Sequence, residues 1–132
     1  MITTAHEFKR LRESTNPVEY CRAASDEASL EVWREIVEDM PEMRFGVAQN
    51  KTVPIEILNL LAMNSDARVR NMVARKRKIT ESIAIRLASD RDETVRAALA
   101  TNAKLTDVVR DILVNDQSPL VKNAIAKRNK NG

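Results

Sequence analysis

The strongest constraint on this chain is a recurrence. The pairs Met43-Arg44, Val69-Arg70, Val95-Arg96 and Val121-Lys122 follow one another at intervals of 26 residues. The same interval links Ala48, Ala74, Ala100 and Ala126, then Val47, Val73, Leu99 and Ile125, then Leu61, Leu87 and Leu113. Several columns sharing one period are the signature of a repeat architecture, in which each unit is a supersecondary element that cannot bury its apolar face alone.

Within each unit the apolar spacing is helical. Val69, Met72 and Val73, like Val95, Ala98 and Leu99, follow i, i+3, i+4, and Ile57/Leu61, Ile83/Leu87 and Val109/Leu113 each lie four apart on a second helix. Asp66, Asp92 and Ser118 share a column suited to N-caps, with Pro119 and Pro41 at the following N1 position, and Thr80 and Thr106 precede the second helices. With only Gly46 and Gly132, the chain has no glycines for tight hairpins or a phosphate loop. The expected class is all-α, a short right-handed α-solenoid of stacked helical hairpins, with the alanine column marking close helix approach.

Before Met43 the period weakens to a shift of 25, matching Val18 with Met43, Val32 with Ile57 and Ile36 with Leu61. Residues 1–40 read as an N-terminal helical cap and divergent first repeat, introduced by capping signals at "TAHE" and "NPVE"; residues 41–128 read as the repeats, and 1–132 as a single domain. At 43% hydrophobic and 31% charged residues the chain is suited to one folded domain. It has no run long enough for a membrane span and no apolar signal-peptide core, so the expected localisation is cytoplasmic, with no membrane partner. Cys21 is the only cysteine and reads as a small buried apolar residue.

The stretch "VRNMVARKRKITESIAIRLASDRDETVRAALATNAKLTDVVRDILVND" resembles bacterial HEAT-like repeats of the leucine-rich repeat variant type, in which V-R-x-x-V-A-x-N recurs with L-x-x-L-A-x-D. The resemblance covers about residues 40–128 and implies an architecture more than an activity. Some members of that family carry an N-terminal iron-sulfur cluster; Cys21 alone lacks the ligand set, and no cofactor is carried over.

No catalytic constellation emerges. His6 is the only histidine, so no triad or histidine-based metal set can be assembled, and Asp90 and Asp92 fall in the turn and cap columns; the chain reads as not an enzyme. Arg70 and Arg96 lie four residues after Asp66 and Asp92, the spacing of helical ion pairs, and a ladder of such pairs is the structural expectation for the Arg44, Arg70, Arg96, Lys122 column.

What remains is charge. Met1 to Met43 holds 5 Lys+Arg against 10 Asp+Glu, net −5, while the rest holds 17 against 9, net +8. The basic excess peaks at Arg75, Lys76, Arg77 and Lys78, the end of a first helix and its turn, with Lys51, Lys104, Lys127, Arg128 and Lys130 in neighbouring columns. Cations at helix C-termini are worth about 0.3 to 1 kcal/mol to the dipole, so four in a row exceed a purely structural need. The acidic segment offers Glu31, Glu35, Glu38 and Asp39 around Trp33, with Tyr20 nearby in sequence; core packing competes with partner binding for Trp33.

The leading functional expectation is therefore a non-catalytic protein-protein interaction module. Its look is similar to the short helical-repeat immunity proteins that neutralise a cognate bacterial toxin, for which a basic nuclease of contact-dependent inhibition would suit the acidic segment. The alternative is nucleic-acid binding through the edge around Arg75 to Lys78, weakened because all four aromatics precede it and leave no stacking platform. A third is self-assembly through an exposed repeat end; a monomer is the default expectation.

Overall fold

A computed structural model describes residues 1–131, with side chains through Arg128. Among the described residues there are ten α-helices, one 3-10 turn and no strand, so the all-α expectation holds. The chain divides into two compact units, Met1–Leu61 and Ala62–Gly132.

The N-terminal unit contains α1 (Ala5–Arg12), α2 (Pro17–Ser25), α3 (Leu30–Asp39), a 3-10 turn (Pro41–Met43), α4 (Arg44–Gln49) and α5 (Ile55–Leu61). Its first three helices start on side-chain caps. Thr4 accepts from the Glu7 N–H, Asn16 from Val18 and Glu19, and Ser29 from Val32, satisfying amides that a helix leaves unpaired. The core is built on an edge-to-face pair, Phe8 and Trp33, with ring centroids 5.5 Å apart, together with Ile2, Leu11, Ile36, Val47, Ile57, Leu58 and Leu61. An isolated parallel bridge joins Ile2 to Ala28, and the Ile2 N–H donates to the Glu27 carbonyl at 2.7 Å. α2 is thinly covered, with Ala23 its only buried residue, which leaves Cys21 exposed rather than buried as the composition argument expected.

The C-terminal unit contains α6 (Ala67–Ala74), α7 (Glu81–Ala88), α8 (Glu93–Ala100), α9 (Asp107–Val114) and α10 (Pro119–Asn131). Asp66 and Asp92 cap α6 and α8, while Thr80 and Thr106 cap α7 and α9, so these four expected caps are in place. α6 contacts α8 and α8 contacts α10, while α7 contacts α9. The core is aliphatic: Val69, Val73, Ile83, Leu87, Val95, Leu99, Val109, Leu113 and Val121, with Ala74 and Ala100 fully buried. Ala126, in the same column, is exposed.

The arginine column behaves differently from its expected helical ladder. Arg70 reaches forward 20 residues, placing Nε 2.8 Å from Asp90 Oδ2 and Nη2 3.1 Å from Oδ1, while Nη1 donates to the Asn64 and Ser65 carbonyls. Arg96 repeats this with Asp116 at 2.7 and 3.3 Å and donates to the Asp90 carbonyl. The i+4 assignment fails because Asp66 and Asp92 spend their carboxylates on capping the helix they precede. Asp90 and Asp116 each also accept the N–H two residues on, so a single carboxylate shapes the turn and holds the arginine.

Candidate functional site

Two surfaces collect the residues singled out from the sequence, one in each unit. In the N-terminal unit, α3 is amphipathic: Trp33, Ile36 and Val37 are buried, and Glu31, Arg34, Glu35, Glu38 and Asp39 are exposed. Trp33 is therefore a core residue, not the exposed anchor considered for it; its ring is needed against Phe8. Glu31, Glu35, Glu38 and Asp39 make no side-chain hydrogen bond or ion pair among the described residues. Helix α3 is thus a rigid rod with a row of water-facing carboxylates, anchored from behind by the largest side chain of the core.

Of the aromatic rings, with Phe45 half-buried, the exposed one is Tyr20. It is 44% exposed and fixed from one side by Arg12, which donates to the phenolic oxygen at 2.8 Å and places its guanidinium carbon 5.2 Å from the ring centroid. Arg12 is itself confined, because its Nε lies 2.8 Å from where a Cβ on Gly46 would be. Glycine at position 46 leaves room for the Arg12 side chain to lie this close, and its backbone angle is an ordinary one. Beside Tyr20 on α2, Val18 is 72% exposed. Glu19 turns back to Arg10 and Ser14; hydrogen bonds from Arg10, then Ser14, hold its carboxyl below the ordinary range.

In the C-terminal unit, Arg75 caps the end of α6 with its backbone and donates from Nε to Asn71 Oδ1 at 2.9 Å. Arg77 and Lys78 are exposed in the following turn, and Lys76 is half-buried. A shallow groove of about 30 Å³ lies between this turn and the next one, lined by Arg77, Thr80, Glu81, Asn102, Lys104 and Thr106 among others. The structure therefore brings Arg77 and Lys104 to one feature, while Lys51 belongs to the N-terminal unit. The Lys130 side chain lies outside the described residues.

Asn102, 26 residues after Lys76, lines this groove and ties its two sides. Buried, it donates from Nδ2 to the Ala74 and Lys76 carbonyls at 2.8 and 2.9 Å and accepts from the Lys104 N–H at 2.8 Å. One side chain ties both basic turns together. Asn50, at the same register, does likewise in the N-terminal unit, donating to the Ala23 and Asp26 carbonyls and accepting from Thr52. The recurrence of asparagine at 26-residue multiples was the available signal; that it serves backbone carbonyls is visible only in three dimensions.

Among the described residues, no group of three or more His, Cys, Asp or Glu is placed to hold a metal ion. No described helix is long and apolar enough to cross a membrane. No protein-family model, curated protein or solved structure matches the chain.

Proposed function

We propose that this chain is a non-catalytic protein-binding module, a short right-handed α-solenoid of the HEAT-like leucine-rich repeat variant type, and that it acts as an immunity protein against a basic toxin such as a nuclease. The observation that carries the reading is the outer face of α3: Glu31, Glu35, Glu38 and Asp39 are exposed and unengaged on a helix whose opposite face is locked into the core. Preorganised carboxylates accelerate encounter with a basic partner and set its orientation. Tyr20, held by Arg12, supplies a rigid aromatic contact of the kind that dominates interface energies.

The test is the triple substitution Glu31→Lys, Glu35→Lys, Glu38→Lys. Its circular dichroism should match the wild type, since all three side chains are exposed, while a basic protein co-purified from the native host should be lost and protection of that host abolished. Recovery of the same partner by the variant would refute α3 as the interface; recovery of no partner by the wild type would refute the immunity reading.

The second reading, nucleic-acid binding, draws on Arg77 and Lys104 sharing one groove. The absence of any aromatic residue after Phe45 counts against a single-stranded ligand. Duplex DNA retained at low salt by the wild type, and released by Arg77→Ala with Lys104→Ala, would put this reading first.

A further inference from the structure

We infer that the Arg77/Lys104 groove receives the α3 carboxylate face of a second copy of this chain, so that the free protein self-associates by a salt-sensitive contact. The inference stands apart from the proposed function, although both use α3.

The two units carry opposite charge. Residues 1–61 hold 7 Lys+Arg against 11 Asp+Glu, net −4, and residues 62–132 hold 15 against 8, net +7. Within each, part of the charge lies on a feature that the fold leaves unsatisfied; in the groove Arg77 and Lys104 outnumber the one carboxylate of its lining, Glu81. Glu31, Glu35 and Glu38 have no side-chain partner among the described residues, and neither do the guanidinium of Arg77 or the ammonium of Lys104, all of them exposed. Both features are held by buried groups, α3 by Trp33 and the groove by Asn102, so the backbone of each is fixed before contact and only the exposed side chains must be ordered.

The size of the groove selects the class of occupant. At about 30 Å³ it is far below the roughly 300 to 1,000 Å³ of small-molecule pockets, and it suits the ends of side chains presented by a rigid surface. Glu31, Glu35 and Glu38, at i, i+4 and i+7, form such a row, spaced over about 10 Å at 1.5 Å per residue. Two unlike surfaces meeting in this way form a heterologous contact. A basic partner docking on α3 would compete with the second copy, and self-association would keep the acidic face covered until that partner arrives.

Sedimentation velocity on the full chain tests this across a concentration series at about 20 mM and about 500 mM salt, ionic strengths that move the Debye length from tens of ångströms to a few. The weight-average mass should rise with concentration at low salt and return to 14.9 kDa at high salt. Arg77→Glu with Lys104→Glu, and separately Glu31→Lys with Glu35→Lys and Glu38→Lys, should each weaken self-association about tenfold or more, and mixing the two variants should restore association. Neutral replacements, Arg77→Gln with Lys104→Gln, provide a gentler version if a reversal disturbs folding. A monomer mass at every concentration in low salt overturns the proposal, as does association unchanged by either reversal or not restored by mixing.

Discussion

The two units solve the same packing problem with different chemistry. The N-terminal unit closes on aromatic rings, Phe8 against Trp33, and its ion pairs lie toward solvent. The C-terminal unit has no aromatic residue and is built from Val, Leu, Ile and Ala around forward-reaching pairs, Arg70 with Asp90 and Arg96 with Asp116. Large rings can fill an irregular space, which suits a unit whose repeat register slips to 25. Small aliphatic side chains leave helices close and uniform, and there directional bonds between successive turns define the register. Both units use a buried asparagine, Asn50 or Asn102, against carbonyls of an earlier turn; the comparison teaches that the aliphatic unit adds to this its little-exposed arginine–aspartate pairs between successive turns.

The difference can be broken from either side, and the lone Trp33 provides a fluorescence probe of the N-terminal unit while circular dichroism follows both. The largest effect should come from Trp33→Ala, which removes a fully buried ring and should cost about 4 kcal/mol in denaturant unfolding. Arg70→Ala comes next, because it strands Asp90; both side chains are under 10% exposed, and the loss should be about 3 kcal/mol, with the dichroism transition shifting more than the tryptophan signal. Replacing both members with Arg70→Met and Asp90→Leu should recover only part of that stability: it removes the stranded charge but leaves the Asp92 N–H and the Asn64 and Ser65 carbonyls without these partners. Asn102→Ala should cost about 2 kcal/mol by leaving the carbonyls of Ala74 and Lys76 and the N–H of Lys104 without this partner.

Acid should weaken both units. Burial works to raise the Asp116 carboxyl, but the Arg96 hydrogen bond and the Ser118 N–H outweigh it, and the group sits below the ordinary carboxylate range. A carboxyl depressed in the folded state contributes stability above its unfolded value of about 3.9, and that contribution drains away as pH falls through the folded value. Asp26, lowered first by its hydrogen bond from Arg22, has the same sign in the N-terminal unit but a more exposed side chain, 23% against 10%. Stability in urea should therefore fall in both units below about pH 4, and Asp116→Asn should flatten that acid dependence in the C-terminal unit. The smallest effect belongs to Gly46→Ala: helix propensity gains what displacing the Arg12 side chain loses, for a net change under about 1 kcal/mol. Its mark should be coupling, with Tyr20→Phe costing less in that background than in the wild type.

Which of these features could be read from the chain follows a physical line. Caps such as Thr80, Thr106, Asp66 and Asp92 act on amides two or three residues away, so spacing alone discloses them. The true partners of Arg70 and Arg96 are 20 residues on, and an equally good local carboxylate stands four residues back; only the folded turn decides between them. Trp33 could be weighed but not assigned, because α3 offers both a buried and an exposed face within two residues. The exposure of Cys21 depends on how little of α2 its neighbours cover, a property of neighbouring helices and not of the local pattern. For the candidate surfaces, the charged residues were legible as composition; that Glu31, Glu35, Glu38, Arg77 and Lys104 make no side-chain bond among the described residues, while Arg75 turns to Asn71, was not.

Asn102 addresses main-chain carbonyls and an amide, atoms that every residue type except proline supplies in full. The path of the turn that follows α6 is thus written in a language indifferent to which side chains sit at 75 to 78. Among them Arg77 is exposed and makes no side-chain bond among the described residues, whereas Arg75 is held by Asn71, so it is the charge at 77 that is open to drift or retuning as partners change. What looks like a decorated structural joint is also a place where recognition can evolve at little cost to stability.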